Sequence, residues 1–182
     1  VLVTAAAGGV GGFAVQLSRL AGARVIGTAS SVNHEFLASL GAEQIISYRS
    51  ENVTERVREI TNGRGVDAVL DTVSSESATE NLKLLVHNGG LAFASGRPDL
   101  SADAPFTTAP SIHELALGAA YDYGDSVARH YLATELEELL RLVSEGSLNP
   151  MVNRVVSLDE AAEALAEVGA RHVQGKLVVA LT

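Results

Sequence analysis

The residues best placed to do chemistry come early, in "TAAAGGVGG" (Thr4 to Gly12), which follows a short apolar run and leads straight into "FAVQLSRLAGA". A turn that holds a dinucleotide diphosphate needs a tight bend, a position without Cβ where the phosphates approach, and a small residue where helix meets strand. Set on the G-x-G-x-x-G pattern, this stretch reads Ala6-Ala7-Gly8-Gly9-Val10-Gly11, so alanine stands first and the other two glycines are kept. Gly8, Gly9, Val10 and Gly11 are the residues expected to cradle the diphosphate, helped by the free N–H groups and partial positive charge of a helix N-terminus. A second signal lies at the end of the next strand, where an NAD site places Asp or Glu on the adenosine ribose. Here the positions are Ala29, Ser30 and Ser31. With no carboxylate to repel a 2′-phosphate, Ser30 favours NADP(H), and the same absence counts against adenosylmethionine. A glycine turn that merely packs helix on strand is the plain rival reading, and the strand–helix–strand context argues against it.

These residues need a scaffold, and the first hundred positions supply its pattern: apolar β-branched runs alternating with amphipathic segments. Strands are expected at "VLVTA", "ARVIGTA", "EQIISY", "VDAVLDTV" and "LAFAS". Helices are expected from about Val10 to Ala21, over "NHEFLASLG" with Gly41 as stop, and over "SENVTERVREITNGRG" from a serine cap to about Thr61. A further serine-capped helix, "SESATENLKLLVHNGG", ends on its glycines. The pattern gives an α/β fold, a doubly wound parallel sheet of the Rossmann kind. Beyond Gly96 comes a proline-rich polar loop, then "ELALGAAYDYG" as a sixth strand. A charged helix follows from about Ser126 to Glu145, with Leu136, Leu139, Leu140 and Val143 facing inward and Glu135, Glu137 and Glu138 in solvent. Asn149-Pro150 marks a boundary, with a short extended piece, a helix and a last strand, "GKLVVAL", after it.

Composition narrows the function classes. The 182 residues carry a net charge of −9, no cysteine and only two lysines, Lys83 and Lys176. Clustered cations for a nucleic-acid backbone are lacking, and so are thiolate metal sites and thiol nucleophiles. No apolar run is long enough for a membrane span and no secretory leader pattern is present, which makes a cytoplasmic setting the expectation. "HELAL" at His113 lacks the second histidine of a zinc-protease helix, because Leu117 stands there. No G-x-S-x-G elbow occurs. None of Tyr48, Tyr121, Tyr123 or Tyr131 is followed four residues later by lysine, as a short-chain dehydrogenase requires.

Together, "AAAGGVGGFAVQLSRLAGARVIGTASS", "LASLGAEQIISYRSEN", "GRGVDAVLDTV", "LLVHNGGLAFASG" and "HVQGKLVVAL" resemble the medium-chain dehydrogenase/reductase superfamily. The nearest branch is the zinc-independent NADPH:quinone oxidoreductases, the zeta-crystallin-like group. The resemblance implies the cofactor domain of such an enzyme, residues 1–147, with residues 148–182 packing toward a GroES-like catalytic domain outside this sequence. It implies NADP(H) as cofactor and an electrophilic small-molecule substrate bound between the two domains. It places the 2′-phosphate near Tyr48, near His34 where the branch often has lysine, and near Arg171. Thr72-Val73 and Ser95-Gly96 would pass the adenine-ribose and nicotinamide sides. Each assignment has a plainer rival: Tyr48 as a strand-end aromatic, His34 and Arg171 as solvated helix residues. Arg49 is an additional phosphate candidate.

The implied reaction is hydride transfer to a quinone or an activated enone. Three alternatives stay open: an enoyl reductase domain of polyketide or fatty-acid type, the cofactor domain of a zinc-dependent alcohol dehydrogenase, and a non-catalytic NADPH-binding protein of crystallin type. The 182 residues alone are expected to be weak or inactive as a catalyst. The sixth strand, around residues 115–121, is expected at a sheet edge that pairs with its twin in a homodimer.

Overall fold

The computed structural model describes residues 1–102, 104–170 and 173–181. Six parallel strands form one sheet: β1 (Leu2–Val3), β2 (Ile26–Ala29), β3 (Gln44–Ser47), β4 (Val66–Asp71), β5 (Leu85–Phe93) and β6 (Ser111–Glu114). Their spatial order is β3-β2-β1-β4-β5-β6, so the direction of winding reverses between β1 and β4. The connecting helices are α1 (Gly11–Leu20), α2 (His34–Ser39), α3 (Val53–Ile60) and α4 (Ser75–Leu82).

Alternation along the strands explains the double winding. Consecutive side chains on a strand point to opposite faces. Leu2, Ile46 and Val69 join a core closed by Val57 of α3 and by Ala78 and Leu82 of α4. Their neighbours Val3, Ile45 and Leu70 turn the other way, onto Val15 of α1 and Leu37 of α2. Strands β1 to β4 therefore supply both cores, β5 and β6 only the first, and a helix layer covers each face.

The caps are short polar side chains that satisfy the first free N–H groups of a helix. Ser74 Oγ accepts from Ser77 N at 3.2 Å to open α4. Helix α3 is opened by Asn52, whose Oδ1 accepts from Glu55 N at 3.1 Å, and not by the serine expected from sequence.

Three further expectations are corrected. The helix foreseen up to Gly89-Gly90 stops at Leu82, because Leu84 and Leu85 are drawn into the core beside Val66, with Leu85 the start of β5. Residues 86–89 then bulge out of the ladder: Val66 pairs with Leu85 but Ala68 with Gly90, and Asn88 takes φ of 60° at the bend. The sixth strand is Ser111–Glu114, paired with Gly90 to Phe93. Residues 115–121 leave the sheet and enter the short helix α5 (Ala119–Asp122), so the edge strand lies earlier than foreseen. Helix α6 (Ser126–Ser144) has the expected extent, yet none of its residues is buried. Leu136 and Leu140 remain more than half exposed because no described element covers that face.

The C-terminal segment makes a separate parallel pair, β7 (Val152–Ser157) and β8 (Lys176–Ala180), linked by α7 (Ala161–Gly169). No helix among the described residues is long and apolar enough to cross a membrane.

Candidate functional site

In an open α/β sheet the ligand crevice lies beyond the carboxyl ends of the strands, at the point where winding reverses. Here that point is between β1 and β4. Most of the residues singled out from sequence follow strand ends on this one side: Gly8 to Gly11 after β1, Ser30 after β2, Tyr48 after β3, Thr72 and Val73 after β4, Ser95 and Gly96 after β5. His34 opens α2. Arg171 lies outside the described residues.

The two loops at the reversal are tied together. Thr72 N donates to Thr4 Oγ1 at 3.1 Å, and Thr72 Oγ1 donates to Thr4 O at 3.3 Å. Ser95 Oγ donates to Thr72 O at 2.9 Å, which adds the β5 loop to the same chain of bonds. Beneath them, Asp71 is buried and accepts from Ser77 Oγ at 2.6 Å, Asn81 Nδ2 at 2.7 Å and Val73 N at 2.9 Å. A carboxylate accepting so many donors is held in place by charge-assisted bonds and fixes the Thr72-Val73 turn.

The glycine loop has the geometry an anion needs. The N–H groups of Gly9, Val10 and Gly11 meet no backbone acceptor among the described residues. Gly11 lies so close to the strand that an added Cβ would overlap Ala5 O and sit 2.7 Å from Ala6 Cα. This is the close helix–strand approach that the last glycine of the pattern permits. A Cβ on Gly96 would likewise press on Ser75 at the mouth of the β5 loop.

At the turn after β2, Asn33 Nδ2 donates to Ser30 Oγ at 3.2 Å, and no carboxylate stands at Ala29, Ser30 or Ser31. His34 Nε2 is buried without a hydrogen-bond partner, a donor or acceptor kept from water and left unpaired. The Tyr48 ring is half exposed, with the Arg49 guanidinium carbon 5.8 Å from its centroid. The residues present thus fit a dinucleotide carrying a 2′-phosphate.

Sequence reasoning drew Arg171 of the C-terminal segment to the site but missed how the segment docks on α1 and the glycine loop. Gln16 is buried on α1 and grips Asn149 twice, donating to its carbonyl at 3.1 Å and accepting from its N–H at 2.7 Å. Met151 packs on Gly12, where any side chain would collide with its sulfur. Gly175 N donates to Ala7 O at 3.1 Å, within the loop itself, and Gln174 Nε2 donates to Asn33 Oδ1 at 3.3 Å. No spacing in the sequence announces these contacts, since Gln16 and Asn149 are 133 residues apart.

A separate concavity, lined by Val1, Arg24, Glu43, Asn62, Arg64 and Asp67, lies at the opposite ends of the strands. Its charges neutralise each other in the pairs Arg24–Glu43 and Arg64–Asp67, both at 2.7 Å, and it holds none of the loops above.

The chain matches the family model described as zinc-binding dehydrogenase over residues 40–179. It is 35% identical over 184 residues to the phthioceranic/hydroxyphthioceranic acid synthase of Mycobacterium tuberculosis, covering 98% of this chain and 8% of that protein. Among solved structures, the CurK enoyl reductase superposes with a TM-score of 0.83 at 30% identity, covering 100% of this chain and 54% of the other. The Escherichia coli quinone oxidoreductase complexed with NADPH gives 0.80 at 27% identity, covering 99% and 56%. The chain thus spans about half the length of these solved structures and under a tenth of the curated synthase. For the metal in the family's description, no group of three or more His, Cys, Asp or Glu among the described residues is placed to hold an ion. With its β3-β2-β1-β4-β5-β6 sheet, its glycine loop and these matches, the chain belongs to the zinc-binding dehydrogenase family of the medium-chain dehydrogenase/reductase superfamily.

Proposed function

We propose that this chain is the NADP(H)-binding half of a reductase that delivers hydride to an electron-poor double bond. The observation that carries the reading is a diphosphate loop at the winding reversal joined to a ribose corner that lacks any carboxylate. Gly8 to Gly11 would hold the diphosphate through main-chain N–H groups. Ser30, His34 and Tyr48, with Arg171 beyond the described residues, would face the 2′-phosphate. Thr72, Val73, Ser95 and Gly96 would line the path toward the nicotinamide. When bound, the dinucleotide supplies hydride from its nicotinamide ring. The protein's part is to orient that ring and keep water from it, which the Thr4–Thr72–Ser95 bonds serve by locking the loops.

An enoyl thioester is the favoured acceptor, because curated relatives at 31–32% identity include polyketide synthases and the CurK enoyl reductase superposes with a TM-score of 0.83, against 0.80 for the Escherichia coli quinone oxidoreductase. A quinone is the second reading, supported by the likeness to the Escherichia coli quinone oxidoreductase. Residues 148–182 would serve as the segment facing the substrate half. The free edge of β6 is the strip through which a homodimer would form, and light scattering of the purified protein tests it.

The deciding experiment follows reduced-nicotinamide absorbance with the longer parent protein, offered a trans-2-enoyl N-acetylcysteamine thioester and a benzoquinone in turn. Faster turnover of the thioester supports the first reading and faster turnover of the quinone the second. No oxidation of NADPH with either contradicts both.

A further inference from the structure

The turn that carries Tyr48 is closed by a carboxylate, Glu51. Strand β3 is an edge of the sheet. Its last residue, Ser47, pairs with Ala29 of β2 and is buried, so its N–H needs a partner within the protein. Glu51 supplies one: Ser47 N donates to Glu51 Oε2 at 2.7 Å. In return Glu51 N donates to Ser47 O at 2.9 Å, and Ser50 N donates to the same carbonyl at 3.0 Å. Residues 48–50 are thus a loop locked at its base, and it carries the exposed side chains of Tyr48 and Arg49. The second carboxylate oxygen, Glu51 Oε1, stands 3.0 Å from Arg56 Nε on α3, and Arg56 also pairs with Glu59. Arg56 therefore offsets the charge of Glu51, whereas Arg49, two residues from Glu51 in the chain, makes no ion pair among the described residues.

We infer that Glu51 is a positioning residue for cofactor selectivity: by closing the turn after β3 it presets the Tyr48-Arg49 rim for a dinucleotide carrying a 2′-phosphate, while Arg56 offsets its charge. The inference rests on the NADP(H) reading above. A loop already held in its bound shape gives up less freedom when the ligand arrives, so more of the contact energy appears as affinity. A carboxylate also repels a phosphate, so the two effects of Glu51 on NADPH have opposite signs. Removing a repulsive charge tightens NADPH, and removing a positioning group weakens it. NADH, which lacks the 2′-phosphate, feels neither effect at this rim.

The test titrates the chain, its Glu51→Ala variant and its Glu51→Gln variant with NADPH and with NADH, and follows hydrogen exchange at the Ser47 amide. Alanine removes both the acceptor and the charge, whereas glutamine keeps an oxygen for the Ser47 N–H and removes the charge alone. Glu51→Ala is expected to weaken NADPH about tenfold, the scale of the backbone freedom that one released residue must give up on binding. NADH should bind as before, and Glu51→Gln should recover most of the NADPH loss. Exchange at the Ser47 amide should quicken in Glu51→Ala and stay slow in Glu51→Gln. NADPH affinity unchanged or tighter in Glu51→Ala, equal loss for both cofactors, or a loss in Glu51→Gln as large as in Glu51→Ala overturns the proposal and leaves the cofactor reading standing. Failure of the unmodified chain to bind either cofactor overturns the cofactor reading itself.

Discussion

Replacing Gly11 by alanine tests the link between loop geometry and stability. The new methyl group would meet main-chain atoms only: it would overlap Ala5 O and lie 2.7 Å from Ala6 Cα and 3.0 Å from Ala5 C. Carbon atoms attract best at about 3.5–4.0 Å, so α1 must retreat from β1 by close to an ångström. The receiving turn has little freedom to give way, because Ala6 N donates to Thr28 O at 2.9 Å and Gly8 N to Ala5 O at 3.0 Å. Overfilling of a packed site destabilises by about 1–3 kcal/mol. Alanine returns up to about 1 kcal/mol of helix propensity. The net expectation is a loss of about 1–2 kcal/mol in urea unfolding, together with weaker NADPH binding. Gly169→Ala is the control, since a Cβ there meets nothing within 4 Å; it should be neutral or stabilise by up to about 1 kcal/mol. A Gly11→Ala chain as stable as the unmodified one, with full NADPH affinity, would refute the close-approach argument.

Three other substitutions probe the rest of the site. Asp71→Ala strips the buried acceptor from Ser77, Asn81 and Val73 and should destabilise by about 3–5 kcal/mol in denaturant unfolding, with Asp71→Asn milder because an amide oxygen still accepts. Gln16→Ala breaks both bonds to Asn149 and should cost about 1–3 kcal/mol, with hydrogen exchange at Asn149 and Gly175 quickening while β4 amides stay protected. Ser30→Asp puts a carboxylate at the turn after β2, where the ribose is proposed to lie. It should lower NADPH affinity by about tenfold or more and spare NADH, and an equal effect on both cofactors would remove Ser30 from the ribose site.

How much of this was legible in sequence depended on how local its cause is. The strands up to β4 stood out because β-branched runs such as "VDAVLD" are bounded by glycine or a capping residue, and the loop was legible because its glycines answer a local steric demand. The start of β5 was hidden: "ENLKLLVHNGG" continues a helical pattern, and only the pull of Val66 on Leu85 ends α4 early. The sixth strand was misplaced for a similar reason. "ELALGAA" is the more apolar stretch, but the ladder available beside Gly90 to Phe93 takes "SIHE". The inward leucines expected on α6 follow helical spacing correctly, and Leu136 and Leu140 stay exposed because spacing says nothing about whether a partner surface is present. Lys176 looked like the first residue of a last strand. Its place beside Gly9 depends on Gln16 gripping Asn149 and on Ala7 accepting from Gly175, long-range contacts that leave no mark in sequence.

The most direct test of the central claim is a calorimetric titration of the chain with NADPH and NADH under one set of conditions. The account predicts binding of both to one site, with NADPH tighter by about tenfold or more. NADH binding as tightly as NADPH, or no binding of either, would contradict it.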